Sequence, residues 1–106
     1  MITFDDFKKL DIRMGKVLTA EKIEGADKLL KLEVDFGEEK RQIVSGIAES
    51  YAPEDLIGKE FPFVINLEPR VLRGVESQGM IMAVSVDGKA VLLEPDKEVP
   101  PGSIVK

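Results

Sequence analysis

The sequence predicts an all-β protein whose strands curl into one small barrel. Three observations favour this fold. Short apolar runs with alternating polar residues recur along the chain, clusters of turn-forming residues separate these runs, and helical spacing is confined to two short stretches. The length of 106 residues fits one domain with a modest core. We expect the barrel core over about residues 12–86 and a C-terminal extension over about residues 87–106.

The N-terminal residues predict a short helix. Thr3 and Asp6 have the spacing of a capping box, in which each side chain accepts a hydrogen bond from the other residue's backbone N–H. The apolar residues Phe4, Phe7 and Leu10 fall on one face of such a helix. We expect that face to plug one end of the barrel.

Residues 12–23 predict a long first strand with one irregularity. Ile12 and Met14 share a face, but Val17 falls out of this alternation unless Gly15-Lys16 forms a bulge. A bulge that contains glycine bends a strand and helps a small sheet to close. The irregularity therefore predicts a bulge at Gly15-Lys16 and a barrel rather than an open sheet.

The second strand, residues 28–36, has the clearest alternation in the chain. The apolar residues on one of its faces are Leu30, Leu32, Val34 and Phe36. Charged residues occupy the other face, as in a strand that is buried on one side only. Residues 24–27 form a turn before this strand, and residues 37–39 turn the chain into a third strand over residues 40–46.

The second and third strands carry the densest group of positive charges, which consists of Lys28, Lys31, Lys40 and Arg41. Such a group is typical of an anion-binding surface. It is equally typical of a solvated strand face, because four acidic residues lie among these cations at positions 33–39. The pattern alone leaves both interpretations open.

A short helix and a fourth strand follow. The segment Pro53-Glu54-Asp55 suits the first turn of a helix, since proline lacks a donor there and acids favour the positive end of the helix dipole. Gly58 suits the end of this helix. Residues 61–65 then alternate as a strand, in which Pro62 is tolerated at an edge or at the strand start.

A long polar segment, residues 66–79, separates the fourth strand from a fifth over residues 80–86. The fifth strand has its apolar face at Met80, Met82, Val84 and Val86. Long connections in compact domains are usually functional, and flanking strands hold them in place. We therefore expect an irregular loop here that forms the binding lip of the barrel.

Asp87-Gly88 predicts a two-residue hairpin turn, and residues 89–93 a sixth strand that is apolar on both faces. Three strands, a short helix and two more strands is the element order of the OB-fold, a five-stranded Greek-key barrel. The sixth strand does not belong to that barrel. Its spare apolar face needs a cover, and a second copy of the chain is the simplest candidate.

The composition excludes most catalytic chemistry. The chain has no histidine and no cysteine, so the common neutral-pH base, the thiol nucleophile and the usual transition-metal ligands are all missing. The segment Gly74–Gly79 does not have the G-x-S-x-G spacing, and no histidine is present to activate Ser77. We therefore expect no enzymatic activity, no metal and no cofactor.

The remaining composition bounds the compartment and the partners. The absence of cysteine, of a signal peptide and of a membrane-spanning run favours a cytoplasmic protein without membrane contact. The net charge of −5 argues against indiscriminate binding of polyanions. A local basic surface remains compatible with this charge.

The polar residues around the lip form a candidate binding constellation. Its members are Lys28, Lys31, Asn66, Arg70, Arg73, Ser77 and Met80. Guanidinium groups can fork onto phosphate oxygens, an amide and a hydroxyl can form hydrogen bonds, and a thioether can pack against a base. In the alternative interpretation, Arg70 and Arg73 pair with Glu68 and Glu76, and Met80 is a core residue.

Four ordered segments carry a family resemblance, namely Phe7–Val17, Ala26–Leu30, Arg41–Ile47 and Asn66–Met80. They resemble the OB-fold tRNA-binding domain that is appended to the C-terminus of many methionyl-tRNA synthetases and is also found as a freestanding homodimeric tRNA-binding protein. The resemblance spans nearly the whole chain. In one departure, Glu24-Gly25 stands where many members have a turn of the His-Pro type.

The resemblance implies structure-specific binding of tRNA with little sequence dependence. The RNA-contacting positions of the family match Lys28, Asn66, Arg70, Ser77 and Met80, whereas Lys31 and Arg73 are candidates from their chemistry. In freestanding members the C-terminal segment builds the dimer with help from the N-terminal arm. The implied partners are tRNA, a second copy of the chain and a methionyl-tRNA synthetase catalytic subunit.

Two other functions fit the same fold. A relative in this family resembles an export-associated, chaperone-like protein, which implies peptide binding, and the sixth strand could join synthetases as a scaffold. Salt should weaken tRNA binding much more than peptide binding. A scaffold would tolerate Arg70→Ala and Lys28→Ala, whereas tRNA binding should not.

Overall fold

Ten strands and one short helix make up the computed structural model, which describes residues 1–106. The helix α1 is Phe4–Phe7. The strands are β1 (Ile12–Ile23), β2 (Ala26–Asp35), β3 (Lys40–Ser45), β4 (Glu60–Val64), β5 (Arg70–Leu72), β6 (Val75–Ser77), β7 (Met80–Ile81), β8 (Ala83–Val86), β9 (Lys89–Leu92) and β10 (Ile104–Val105).

The strand order establishes the topology of the barrel. Its main sheet runs β3-β2-β1-β4-β7 with every neighbour antiparallel, and β10 adds to β1. The sheet closes where the backbone N–H of Gln78, between β6 and β7, donates to the carbonyl of Gln42 in β3 at 2.8 Å. The five barrel strands β1, β2, β3, β4 and β7 thus confirm the predicted OB-fold.

The alternation of β2 supplies the centre of the core. The side chains of Leu30, Leu32 and Val34 are fully buried, and Phe36 packs edge-on against Phe63 of β4 with ring centroids 5.4 Å apart. Each fully buried side chain of this kind contributes about 1.5–3 kcal/mol of transfer free energy. The predicted apolar face of this strand is confirmed.

The bulge in β1 lies later than Gly15-Lys16. These two residues pair regularly with Phe61 and Glu60, and the register with β2 shifts instead between Val17 and Thr19. The glycine is needed for close packing, because a Cβ at Gly15 would lie 2.7 Å from a ring carbon of Phe36. The predicted position of the bulge was therefore wrong, although a bulge does bend this strand.

The predicted helix between the third and fourth strands is one turn of 3-10 helix at Pro53–Asp55. The carboxylate of Asp55 accepts a hydrogen bond from the backbone N–H of Ala52 at 3.1 Å, which caps the turn. Leu56 follows and is buried in the core. This short segment therefore closes one side of the barrel interior.

The N-terminal helix forms with its predicted capping box but does not plug the barrel. Thr3 Oγ1 accepts from the backbone N–H of Asp6, and the Asp6 carboxylate accepts from that of Thr3, both at 3.2 Å. The Asp6 carboxylate accepts hydrogen bonds from the backbone N–H of Thr3 and from the Lys9 ammonium group, and these bonds lower its pKa below the usual 3.8. Phe4 and Leu10 remain exposed, so the plug prediction was wrong for the single chain.

The predicted fifth strand is divided. β7 ends at Ile81, which points into the core, whereas Met80 lies outside, opposite to the predicted face. The backbone N–H of Met82 donates to the carbonyl of Pro62 at 3.0 Å, but proline has no N–H to return the bond. Pairing with β4 therefore stops, and residues 83–92 leave the barrel as the separate hairpin β8–β9.

Strand β9 corresponds to the predicted sixth strand and has apolar residues on both of its faces. Ala90 and Leu92 pack against the core cluster, and the Tyr51 hydroxyl accepts from the backbone N–H of Leu92 at 3.0 Å. The opposite, outward face carries the paired Val84 and Val91 and is exposed. We call Val84, Val86, Val91 and Leu93 the outward apolar face.

Candidate nucleic-acid interface

The lip is a two-stranded hairpin rather than the irregular loop that we expected. Strands β5 and β6 pair from Arg70 opposite Ser77 to Leu72 opposite Val75, and Arg73-Gly74 forms the turn. The turn residues have φ of 51° and 78°, as a type I′ turn requires. We call residues 70–77 the lip hairpin.

Ser77 fastens the lip hairpin to the barrel. Its side chain is buried, and Oγ accepts from the backbone N–H of Val44 at 2.9 Å and donates to the carbonyl of Gly79 at 2.9 Å. The side-chain amide of Gln42 donates to the carbonyl of Glu76 at 2.8 Å. The predicted direct RNA contact of Ser77 is thus not accessible in this structure, and the hydroxyl positions the hairpin instead.

Asn66 holds the N-terminal segment against the start of the lip. Its Oδ1 accepts from the backbone N–H of Asp11 at 2.8 Å, and its Nδ2 donates to the carbonyl of Lys9 at 2.7 Å. The residue is exposed, but both of its polar groups already have protein partners. Asn66 is therefore placed as a positioning residue beside the lip hairpin.

Three of the predicted cations are free. Lys28, Arg70 and Arg73 are exposed and take part in none of the ion pairs of the structure. The alternative in which the two arginines pair with Glu68 and Glu76 is therefore wrong. Free guanidinium and ammonium groups keep their full hydrogen-bonding capacity for an anionic ligand.

Lys31 differs from these three cations. Its ammonium group lies 2.7 Å from Oε1 of Glu21 on the neighbouring strand, and its side chain is 37% exposed. It lines a different cleft, together with Lys40 and Arg41. Its pairing partner Val44 bonds to Ser77, so Lys31 lies one strand away from the lip hairpin, and its predicted contact with RNA stays a prediction.

Two adjoining grooves bring the remaining candidates together. Lys28 and Arg73 line an open groove of about 540 Å³ between the β1–β2 turn and the lip hairpin. Arg70 and Met80 line a smaller one of about 60 Å³. Leu72 lines both grooves, so the four candidates share one side of the molecule.

Met80 lies on the outer surface of the barrel. It is 48% exposed and pairs with Val64 of β4, while its neighbour Ile81 enters the core. The alternative that placed Met80 in the core is therefore wrong. A half-exposed thioether beside a free arginine offers an adaptable apolar contact next to a phosphate-binding group.

Arg41 is an organising residue that the sequence did not single out for this role. Its guanidinium group donates to the carbonyls of Ile65 and Gln78, at the two ends of the lip segment, and pairs with Glu39. Its position among the cations of the second and third strands was equally compatible with a contact to a ligand. Only the fold shows that its hydrogen bonds go to backbone carbonyls.

One arginine of the first strand has a perturbed pKa. The hydrogen bond and charge of Asp11 raise the pKa of Arg13, which keeps this guanidinium firmly charged away from the lip. The structure holds no group of three or more His, Cys, Asp or Glu side chains that is suited to a metal ion. None of its helices has the length and apolar character needed to cross a membrane.

Comparisons with known proteins agree with this geometry. A family model described as "Putative tRNA binding domain" matches residues 12–104. The methionine–tRNA ligases of Archaeoglobus fulgidus and Parabacteroides distasonis are 59% and 57% identical to the chain over 98% and 99% of its length. The chain spans only about 16% of the length of these curated relatives.

Solved structures show the same fold over the whole chain. A methionyl-tRNA-synthetase-related protein from Pyrococcus horikoshii superposes with a TM-score of 0.96 at 47% identity and covers 100% of this chain and 98% of its own. The chaperone CsaA from Bacillus anthracis str. Ames superposes with a TM-score of 0.92 at 38% identity over 100% and 99%. Together with the family match, these similarities show that the chain belongs to the family of tRNA-binding domains, in the branch that is homologous to a part of the methionine–tRNA ligases.

Proposed function

We propose that the chain is a non-catalytic, cytoplasmic tRNA-binding module that recognises the folded shape of tRNA and works as a homodimer. The observation that carries this proposal is the group of free cations, Lys28, Arg70 and Arg73, on one side of the molecule with Met80 beside them. These residues are proposed as the RNA contacts, with Asn66 and Ser77 as their positioning residues.

A fixed set of free cations suits a folded RNA. A-form RNA keeps its base edges in a deep groove, so a protein that reads its shape contacts phosphates and 2′-hydroxyls at fixed separations. The lip hairpin is fixed to the barrel by Ser77 and Gln42, so its cations do not shift independently. A rigid pattern of charges therefore selects a folded RNA over a random strand.

A second copy of the chain would extend this pattern. The outward apolar face is exposed over its whole length, and Phe4, Ile104 and Val105 add further exposed apolar surface. Exposed apolar surfaces of this kind often mark interaction sites in soluble proteins. Two barrels joined through this face would present two lips at a set distance, which increases the capture of an L-shaped RNA.

We further propose that a methionyl-tRNA synthetase catalytic subunit is the partner that benefits from this capture. The identity of 59% to one segment of a methionine–tRNA ligase supports this pairing. In that arrangement the module raises the local concentration of tRNA near a catalytic site that it does not itself contain.

The test compares tRNA with an unstructured RNA of equal length across a salt series. We expect tighter binding of tRNA, with roughly 2–4 phosphates neutralised per subunit and a salt slope of about 0.7–0.9 per phosphate. Lys28→Ala should weaken binding, whereas the matched variant Lys97→Ala removes an exposed lysine far along the chain and should leave it unchanged. Equal affinity for both RNAs would contradict the proposed recognition of shape.

Peptide binding is the second candidate, and the similarity to the chaperone CsaA favours it. A peptide would occupy the outward apolar face rather than the lip. Its affinity would change little with salt, because the contact is apolar. Light scattering beside the RNA measurement separates the two candidates further, since a monomeric mass would leave the outward apolar face free for peptides.

A further inference from the structure

We propose that the groove between the β1–β2 turn and the lip hairpin holds one unpaired nucleotide of the RNA, with its base on the apolar wall and its phosphate between Lys28 and Arg73. This inference rests on the proposed tRNA binding and names the feature that the groove would recognise. That feature is a nucleotide whose base has left the helical stack.

The walls of the groove are more apolar than a phosphate contact requires. The apolar residues that line the groove include Val71, which is 67% exposed, and the half-buried Leu72 and Leu29. The backbone of a paired helix presents only phosphates and sugar hydroxyls, which would leave this surface uncovered. An unstacked base has an apolar face that covers it, as in other proteins that bind single-stranded nucleotides.

The size and charge of the groove suit one nucleotide. Its volume of about 540 Å³ lies within the roughly 300–1,000 Å³ of small-ligand sites. The free ammonium group of Lys28 and the free guanidinium group of Arg73 supply charges for a single phosphate. The complementarity is therefore both apolar and electrostatic, and it is confined to a short stretch of RNA.

The backbone of Arg73 is a further indication. It has φ of 51°, a conformation that asparagine or aspartate adopts more readily than arginine at this position of a type I′ turn. Strained residues of this kind are concentrated at ligand sites. The side chain at this strained position lines the groove.

Asp27 gives the groove a preference among bases. Its exposed carboxylate lines the groove and is in no ion pair. An ionised carboxylate only accepts hydrogen bonds, so it pairs with the amino group of cytosine. Uracil has a carbonyl oxygen at the position of this amino group, which would face the carboxylate unfavourably, and keeps only its N3–H as a donor, so the preference for cytosine rests on the 4-position.

The test uses RNA hairpins of equal length that differ at one position. One hairpin is fully paired, and three others carry a single extra residue in the stem, which is cytidine, uridine or an abasic site. We expect about five- to tenfold tighter binding of the cytidine hairpin than of the abasic one. The methyl resonances of Val71, Leu72 and Leu29 should shift upfield with cytidine, because an aromatic ring then covers them.

A pair of matched variants isolates the groove. Val71→Thr keeps the shape and strand preference of valine but removes apolar surface, so it should abolish the preference for cytidine over the abasic site. Val75→Thr makes the same change in the same hairpin but outside the groove, so this variant should keep the preference for cytidine over the abasic site. Asp27→Asn should bring the affinities for cytidine and uridine closer together.

The outcomes separate this inference from the proposed function. Equal affinity for the cytidine and abasic hairpins, without methyl shifts, would overturn the inference while salt-dependent tRNA binding could persist. If the unmodified protein showed no salt-dependent RNA binding at all, both this inference and the proposed function would be overturned.

Discussion

The two hairpins that extend from the barrel share one turn geometry, but one displays a charged surface and the other an apolar surface. Arg73-Gly74 in the lip hairpin has φ of 51° and 78°, and Asp87-Gly88 in β8–β9 has φ of 51° and 79°. The lip hairpin displays free cations, whereas the C-terminal hairpin displays the outward apolar face. The same turn geometry thus supports two surfaces of different chemistry.

The two hairpins also differ in how they are attached. Ser77 fastens the lip hairpin with a buried hydroxyl, so polar bonds of defined direction fix its position. The C-terminal hairpin rests on the core through Ala90 and Leu92, with one bond to Tyr51. Cations that must match phosphate spacing need directional fixation, whereas an apolar face needs only to be held in a position where it can be covered.

The largest expected effect comes from placing a charge on the outward apolar face. Val91→Asp puts a carboxylate opposite Val84, where a second copy of the chain would bury it without a partner. We expect the dimer to dissociate and the affinity for tRNA to fall by about 100-fold, because the two lips no longer act on one RNA. Light scattering and a gel-shift titration measure both effects.

Ser85→Asp provides the control for this change. Ser85 is an exposed residue of the same hairpin, and its partner in the pairing, Ala90, points away from the outward apolar face. This variant should remain dimeric and bind tRNA normally. Dissociation caused by both variants would contradict the assignment of the outward apolar face to the dimer.

The second prediction concerns the attachment of the lip hairpin. Ser77→Ala leaves the buried N–H of Val44 without its acceptor, so the free energy of unfolding should fall by about 1–3 kcal/mol. Ser85→Ala removes an exposed hydroxyl from the other hairpin and should stay within about 0.5 kcal/mol of the unmodified protein. Urea denaturation of the two variants measures the difference, and equal losses would mean that the attachments do not differ.

The third prediction compares a cation of the lip hairpin with an exposed lysine outside both hairpins. Arg70→Gln should weaken tRNA binding about fivefold and reduce the salt slope by about one phosphate contact, because a free guanidinium group is lost. Lys97→Gln removes an exposed, unpaired lysine outside both hairpins and should change affinity less than twofold. Similar salt slopes for both variants would show that charge anywhere on the surface suffices.

The sequence predicted the barrel where burial on one face dictates alternation, as in β2 with Leu30 and Leu32. It misplaced features that depend on a neighbouring strand. Pairing of the fifth strand stops because Pro62 in β4 cannot donate, and the bulge in β1 follows Val17 because of its register with β2. Periodicity within one strand carries no information about either constraint.

The candidate site shows the same difference between features that depend on residue type and features that depend on a distant part of the chain. The sequence singled out Arg70 and Arg73 by residue type and loop position, and the structure shows both exposed and free of ion pairs. The sequence did not distinguish these from Ser77 and Asn66, whose partners Val44 and Lys9 lie 33 and 57 residues away. A polar side chain suits a ligand and a distant backbone group equally well, so only the folded chain decides between them.

The smallest expected effect lies in the two turns themselves. Arg73→Asn replaces a residue that adopts positive φ unfavourably with one that adopts it readily, so the protein should become more stable by about 0.5 kcal/mol. Asp87→Asn makes a turn of equal geometry with little change, since aspartate already suits its φ of 51°. Thermal unfolding of both variants measures this gain, and tRNA titration should show that Arg73→Asn alone binds more weakly. A stability gain without loss of binding would mean that the strained arginine has no role in recognition, and the contrast between the two turns would then be one of sequence history rather than of function.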